Sequence, residues 1–446
     1  MFPVKKFPAV KREEKRVRYE SFSTFGKSGT GCLVASRSEN CDCSDGKIRP
    51  GIGWKDAGIS ADLTTLTFPP ELFVFLPAPG NGEEELLTVN EQGKVYRFDG
   101  TEGKFVYLYQ SFPLPCKALE FYGADGTPRL AFCTQNGVWL YGGSEEFMLV
   151  GPAVSSVGCV FHERLFVGAG EKVYYSAPMD PENWENSADE GGFIGFPSDD
   201  GEFVGAEVLN ESVCLFRERG IVVLSAGGAG RDFSARTPGY GGGRIFGQSV
   251  RAFGNRIVFL AEDGLYAFDG RTAERICREV PVFPDREGQV KSGVAAGKYL
   301  LVYSDTSGEK KLLVFDGATD SAYFSSLPVD ALSETRRGLL CAGEGQVKEI
   351  VSGGVLPDGT EAVFAAENSD FGVKGGKLWK EVIVRGEGSC RLETQAGEEK
   401  RVFSLTFEKG EARAFPLQRG ENFSLRLFPA AGSSVSAVES AFLVYV

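Results

Sequence analysis

Glycine-bearing hairpin turns recur through the middle of the chain at a nearly constant interval, and this recurrence constrains the fold more than any other feature. Gly93, Gly137, Gly170, Gly220, Gly264, Gly308 and Gly345 are separated by 44, 33, 50, 44, 44 and 37 residues. Each precedes a short apolar run, such as Lys94-Val95-Tyr96-Arg97-Phe98, Val138-Trp139-Leu140-Tyr141, Ile221-Val222-Val223-Leu224 or Leu265-Tyr266-Ala267-Phe268. Glycine supplies the turn conformations that tight hairpins require, and β-branched and aromatic residues suit the strands between them. A hairpin period near 44 is the arithmetic of a four-stranded propeller blade, a sheet that buries its faces against its neighbours. The spacing predicts a β-propeller of six or seven blades over residues 36–355. A set of β-sandwiches, which turn as often but need not keep the period, is the alternative.

The flanks read differently. After Gly353-Gly354 the repeat stops, and Lys380–Arg385, Val402–Phe407, Phe423–Phe428 and Ala441–Val446 alternate as strands, which predicts a small C-terminal β-sandwich over 356–446. Residues 1–35 read as an extended basic arm. Lys5, Lys6, Lys11, Arg12, Lys15, Arg16 and Arg18 stand there against Glu13, Glu14 and Glu20, and they are the candidate partner-docking residues, facing an acidic neighbouring subunit or nucleic acid; a solvated tail is the alternative. The expected class is therefore all-β: an N-terminal arm, a β-propeller, then a sandwich. The 58 Gly, 21 Pro and 35 Phe suit many short strands joined by turns, and helix signals are nearly absent.

The balance of 48 Lys and Arg against 61 Asp and Glu, a formal charge of −13, disfavours nonspecific adhesion to nucleic acid or anionic membrane. No apolar run approaches the ~20 residues of a membrane helix, so no membrane anchor is expected. The N-terminal residues lack a signal-peptide pattern, so synthesis is expected to end in the cytosol. Ten cysteines stand mostly singly in apolar strings, as reduced structural thiols do, and Cys41-Asp42-Cys43 has no second pair at zinc-site spacing.

Residues able to carry chemistry are few. The single histidine, His162, sits in a strand pattern near a turn, with no relay motif around it. Asp180-Pro181-Glu182 through Asp189-Glu190 to Asp199-Asp200-Gly201-Glu202 is the densest carboxylate segment. It reads as a solvated loop, without the spacing of an EF-hand or an Asp-box, and whether 180–202 takes a cation stays open. Ala226–Gly230 and Gly239–Arg244 are glycine-rich but lack the Gly-Lys-Ser/Thr ending of a phosphate loop; a surface loop or close approach to a neighbouring subunit accounts for them. A glycan-active propeller enzyme would bring Asp or Glu together on the inner strands of several blades. Val138-Trp139-Leu140, Ile221-Val222-Val223 and Leu313-Val314-Phe315, taken as such strands, carry none. No catalytic, cofactor-binding or metal-binding residue is assigned, and the chain is expected to be noncatalytic.

Three stretches together resemble a known family. Ser38-Glu39-Asn40-Cys41-Asp42-Cys43-Ser44-Asp45-Gly46-Lys47-Ile48-Arg49-Pro50-Gly51 resembles an entry motif of phage tail nozzle and packaged-DNA stabilisation proteins. Arg164–Gly168 with Lys172-Val173-Tyr174-Tyr175-Ser176 through Asp180-Pro181-Glu182-Asn183-Trp184 is similar to one of their blades. Phe203–Ile221 followed by Asn255–Gly270 is similar to a further pair. The likeness spans residues 36–280, and this chain is shorter than many nozzle proteins. What the resemblance implies is a structural virion protein of the tail, made in the host cytoplasm. It would form a homo-oligomeric, usually hexameric, ring next to portal, adaptor and tail proteins, and continue a channel through which packaged DNA passes without sequence-specific binding. An acidic lumen would let a polyanion slide. A tail-tip receptor-binding module, stacking sugars on Trp184, Tyr240 and Phe246, is the alternative from another class.

Overall fold

The computed structural model describes residues 12–25, 31–78, 84–143, 146–152, 157–185, 191–197, 199–226 and 233–445. Its centre is seven four-stranded sheets, the blades of a propeller, and the described elements are otherwise strands and two short 3-10 turns. Blade 1 runs from Pro70–Leu76 to Lys104–Ser111, blade 2 from Lys117–Tyr122 to Phe147–Leu149, blade 3 from Gly158–Phe161 to Gly192–Gly195 and blade 4 from Phe203–Leu209 to Phe233–Arg236. Blade 5 runs from Arg251–Phe253 to Ala273–Arg275, and blade 6 from Val290–Ala295 to Ser321–Ser325. Blade 7 takes only three strands from its own stretch, Leu332–Thr335, Gly338–Gly343 and Gln346–Ser352. Its fourth, outer strand is Ile52–Asp56, from ahead of blade 1. Trp54 on that strand is buried, and Gly343 leaves the room its ring fills.

The turns explain why glycine marks the period. Gly93 joins two strands of blade 1 at φ +75°, and a Cβ there would collide with the Phe112 carbonyl oxygen, so glycine is required on both counts. The first hairpins of blades 3 and 4 use two-residue turns instead, His162-Glu163 and Asn210-Glu211, with all four residues left-handed, as the twist of tight hairpins demands. Between the blades, apolar faces interlock. One cluster joins Phe216 and Val223 of blade 4 to Ile257, Phe259 and Phe268 of blade 5. The ten cysteines are unpaired, and burial pushes thiols such as Cys133 and Cys341 up to about 12, which keeps them protonated.

The chain divides into two units, and the division corrects the expected domain order. One unit holds Trp54–Leu312 and Pro328–Ile350, the other the residues up to Gly53 with Leu313–Leu327 and Val351 onward. The second unit contains a sandwich of two five-stranded sheets. The first orders Arg12–Tyr19, Ser434–Tyr445, Lys377–Glu387 and Glu411–Ala414, with Gln418–Gly420 also on Lys377–Glu387. The second orders Glu399–Thr406, Ser389–Ala396, Phe423–Pro429, Val363–Ser369 and Arg37–Glu39. Its core stacks Trp379 among Phe371, Phe423 and Phe442. The sandwich is thus built from both ends of the sequence, with the propeller inserted in its chain.

The segment expected to be an arm is an edge strand over Arg12–Tyr19, pairing residue for residue with Val438–Tyr445. Arg16 donates to Glu439 at 3.0 Å, to Glu14 at 3.0 Å and to Glu381 at 3.3 Å, and Arg18 pairs with Glu20. Lys5, Lys6 and Lys11 lie outside the described residues. Charged side chains on an edge strand discourage pairing with foreign strands, which explains why this one reads as a solvated arm. Arg16, aided by Arg385, holds the Glu439 carboxyl below the usual carboxylate range. A lowered folded-state pKa contributes stability that is present above the unfolded value, near 4.5, and is lost as pH falls through the folded one. The sandwich is therefore expected to weaken in acid. Arg16→Met should flatten that loss when unfolding is followed by the fluorescence of Trp379 from pH 7 downwards.

Candidate functional site: charges along the propeller axis

The inner strands are the first of each blade. Those of blades 2 to 7 touch in order, and that of blade 7 meets that of blade 1. Val138–Leu140, Ile221–Val223 and Leu313–Phe315 lie on third strands, not on the inner strands they were taken for. The true inner strands carry Glu71, Glu120, Glu207 and Glu334, together with Lys117, Arg251 and Lys291. All seven line a cavity of about 440 Å³ to which every blade contributes.

These charges are paired by one rule. Lys117 of blade 2 reaches Glu207 of blade 4 at 3.3 Å, and Arg251 of blade 5 faces Glu334 of blade 7 at 3.9 Å. Lys291 of blade 6 meets Glu71 of blade 1 at 2.7 Å, and Arg336, in the first hairpin of blade 7, faces Glu120 of blade 2 at 3.8 Å. In each case the cation sits on one blade and the carboxylate two blades further round, so every pair bridges an intervening blade. The long Lys, Arg and Glu side chains supply the reach. Carbonyl oxygens complete two of the cations: Lys117 Nζ donates to Ala206 O at 3.0 Å and Lys291 Nζ to Asp330 O at 3.0 Å.

Exposure grades the pairs. The side chains of Lys291 and Glu71 are 10% and 16% exposed, whereas that of Glu334 is 48% exposed. Burial pushes the Glu334 carboxyl up despite Arg251, and Glu207 across the cavity pushes it further. Glu120 is raised by burial too, against the pull of Arg336. The lining therefore offers both signs of charge within a few ångströms, beside half-buried apolar groups such as Val160 and Val208. A second cavity of about 360 Å³ shares Glu71, Gln248 and Lys291 with the first.

The other residues singled out in the sequence have local duties. His162 is an exposed turn residue, 3.9 Å from Glu211. Asp180 Oδ1 accepts from the Glu182 amide at 3.1 Å, while Asp189 and Glu190 lie outside the described residues. Trp184 is half-buried, with Nε1 donating to Pro181 O at 2.8 Å. Tyr240 is half-buried against Phe259 and Tyr266, its hydroxyl donating to Gly243 O, and Phe246 is half-buried as well, so these three are not the exposed sugar platforms expected. In the glycine-rich stretches, Gly227–Gly230 lie outside the described residues, and the Gly243 amide donates to Asp263 Oδ1 at 2.9 Å.

No family model and no curated protein matches the chain. Among solved structures, a chain of BBS1N in complex with ARL6DN aligns with a TM-score of 0.45 at 12% identity, covering 69% of this chain and 98% of that one. Virginiamycin B lyase from Staphylococcus aureus aligns with 0.44 at 9% identity, covering 67% and 99%. The extracellular domain of the putative one component system BT4673 from B. thetaiotaomicron aligns with 0.45 at 8% identity, covering 81% and 54%.

Proposed function

We propose that this propeller chain is a noncatalytic structural subunit of a bacteriophage tail, of the nozzle or packaged-DNA stabilisation type, that works in the virion as a homo-oligomeric ring beside portal, adaptor and tail proteins. The observation that carries the reading is that the residues bearing the family resemblance hold the architecture together. Asn40 is buried, donating from Nδ2 to Ser326 Oγ at 2.8 Å and to Glu361 O at 3.2 Å, while its Oδ1 accepts from Ser325 Oγ and the Ser326 amide. Asp42 accepts from the Ser44 amide, and Arg164 is buried with Nη1 on Ser176 O at 2.9 Å. Arg217 is buried over the Phe203 ring, with Nη1 on Gly201 O at 2.8 Å. A motif of this kind marks a shared scaffold rather than shared chemistry.

The axis of one propeller leaves no room for DNA. A duplex whose major groove alone is ~12 Å wide does not thread a cavity of about 440 Å³ crossed by ion pairs. In this reading the DNA channel runs among the copies of the ring, where the acidic balance of the chain lets a polyanion slide. The test is the mass of the purified chain in solution with negative-stain images, alone and mixed with portal and adaptor proteins. Rings of about six copies, alone or on the portal assembly, are expected. A monomer that ignores portal proteins would overturn the reading, and a monomer that binds glycans would replace it with tail-tip adhesion.

A further inference from the structure

We propose that the axial cavity of the propeller binds a small zwitterion, a free α-amino acid with an apolar side chain, seated between Arg251 and Glu334. Three of the four cross-blade cations are well satisfied: Lys117 and Lys291 by a carboxylate and a carbonyl each, and Arg336 by Glu84 at 3.2 Å besides Glu120. Arg251 differs. Its Nη1 donates to Val250 O at 2.7 Å, but its Nε stands 3.9 Å from Glu334, beyond hydrogen-bond length. A guanidinium carries five N–H donors in a planar fork that matches a carboxylate in two parallel bonds. Here that fork and a half-exposed carboxylate flank the same cavity.

The ligand class follows from this pairing. A simple anion on Arg251 would face Glu334 and Glu207, and a simple amine on Glu334 would leave the guanidinium fork unused. An α-amino acid carries both charges on one carbon, so its carboxylate can take the fork while its ammonium donates to Glu334 and offsets the repulsion from Glu207. The long ion pair it displaces is the weakest kind, partly exposed and not hydrogen-bonded. Leu119, Val160, Val204 and Val208 line the same cavity half-buried, which supplies an apolar wall for the side chain. The volume of about 440 Å³ is that of a small-molecule site.

The test is titration of the full chain with L-leucine and with L-phenylalanine by calorimetry and saturation-transfer NMR. Isopentylamine and 4-methylpentanoate serve as the single-charge counterparts of leucine. Saturable binding of at least one amino acid below about 1 mM is expected. Loss of either charge from the ligand should weaken it at least about tenfold, as should Arg251→Gln or Glu334→Gln. Arg251→Lys, which keeps the charge but not the fork, should also bind at least about tenfold more weakly, and it decides the matter if Arg251→Gln does not fold. The proposal is overturned if neither amino acid saturates the unaltered chain. It is equally overturned if the single-charge compounds bind as well as leucine, or if the folded Arg251 variants bind like the parent.

Discussion

Lys291→Ala is expected to destabilise the propeller by about 3 kcal/mol, the scale for breaking a mostly buried ion pair from one side. The ammonium lies 2.7 Å from Glu71 and 3.0 Å from the Asp330 carbonyl, and both side chains of the pair are largely withdrawn from water. Its removal leaves a carboxylate with no countercharge at a poorly hydrated site. The double variant Lys291→Ala, Glu71→Leu should regain most of the loss, because neither charge then remains to be solvated. Urea unfolding reads both, in a Trp379→Phe background where Trp54, Trp139 and Trp184 report on the propeller. A loss no larger than the ~0.5 kcal/mol of an exposed pair would show that the pair does not couple blades 6 and 1. Arg251→Ala serves as the contrast: its partner Glu334 is half-exposed and stands 3.9 Å away, beyond hydrogen-bond length, so less than about 1 kcal/mol is expected.

Asn40→Ala should cost the sandwich unit about 3 kcal/mol, from the four hydrogen bonds of a buried side chain lost at once. Asn40 is 1% exposed and sits at φ +55°, a left-handed conformation that asparagine tolerates and alanine does not. Its amide meets Ser325, Ser326 and Glu361, so truncation strands the buried Ser325 hydroxyl and leaves the part-buried groups of Ser326 and Glu361 without their partner. Asn40→Gly loses the same bonds but not the backbone comfort, and should fall short of alanine's loss by about 1 kcal/mol. Thermal unfolding followed through Trp379 measures both. Equal losses would mean that the left-handed backbone contributes nothing.

The propeller was legible because its turns are chemically marked. Gly93, Gly137 and Gly264 stand where the chain reverses at positive φ, and the second and third strands they join are largely apolar. The blade number was not, because the outer strand of blade 7 is Ile52–Asp56, a segment far from its partners in sequence and outside the period. Arg12–Tyr19 passed for an arm for a related reason: an edge strand touches its sheet along one side only, and just Val17 and Tyr19 of it pack towards the core. The axial charges were missed because inner strands look least like strands. Lys117-Ala118-Leu119-Glu120 and Arg251-Ala252-Phe253 are short and half-polar, since they face a cavity rather than a core. Their one signal is a Lys, Arg or Glu on the short stretch upstream of the apolar hairpin in six of the seven blades, Gly158–Phe161 of blade 3 carrying none.

The strand order has a consequence for how a ribosome delivers the chain. Ile52–Asp56 emerges before every blade, yet its hydrogen-bond partner Gln346–Ser352 is made only after six blades have left the tunnel. Arg12–Tyr19 waits longer still, for Ser434–Tyr445, which follows all seven blades. Blades can form one after another as they emerge, because their pairings are local, but both of these early strands must be held unpaired throughout translation. The REEKRVRY composition of the first is what an edge needs to survive that wait without recruiting a strand from a neighbouring nascent chain. The charges that look like a docking signal lie on a strand that has such an edge to protect.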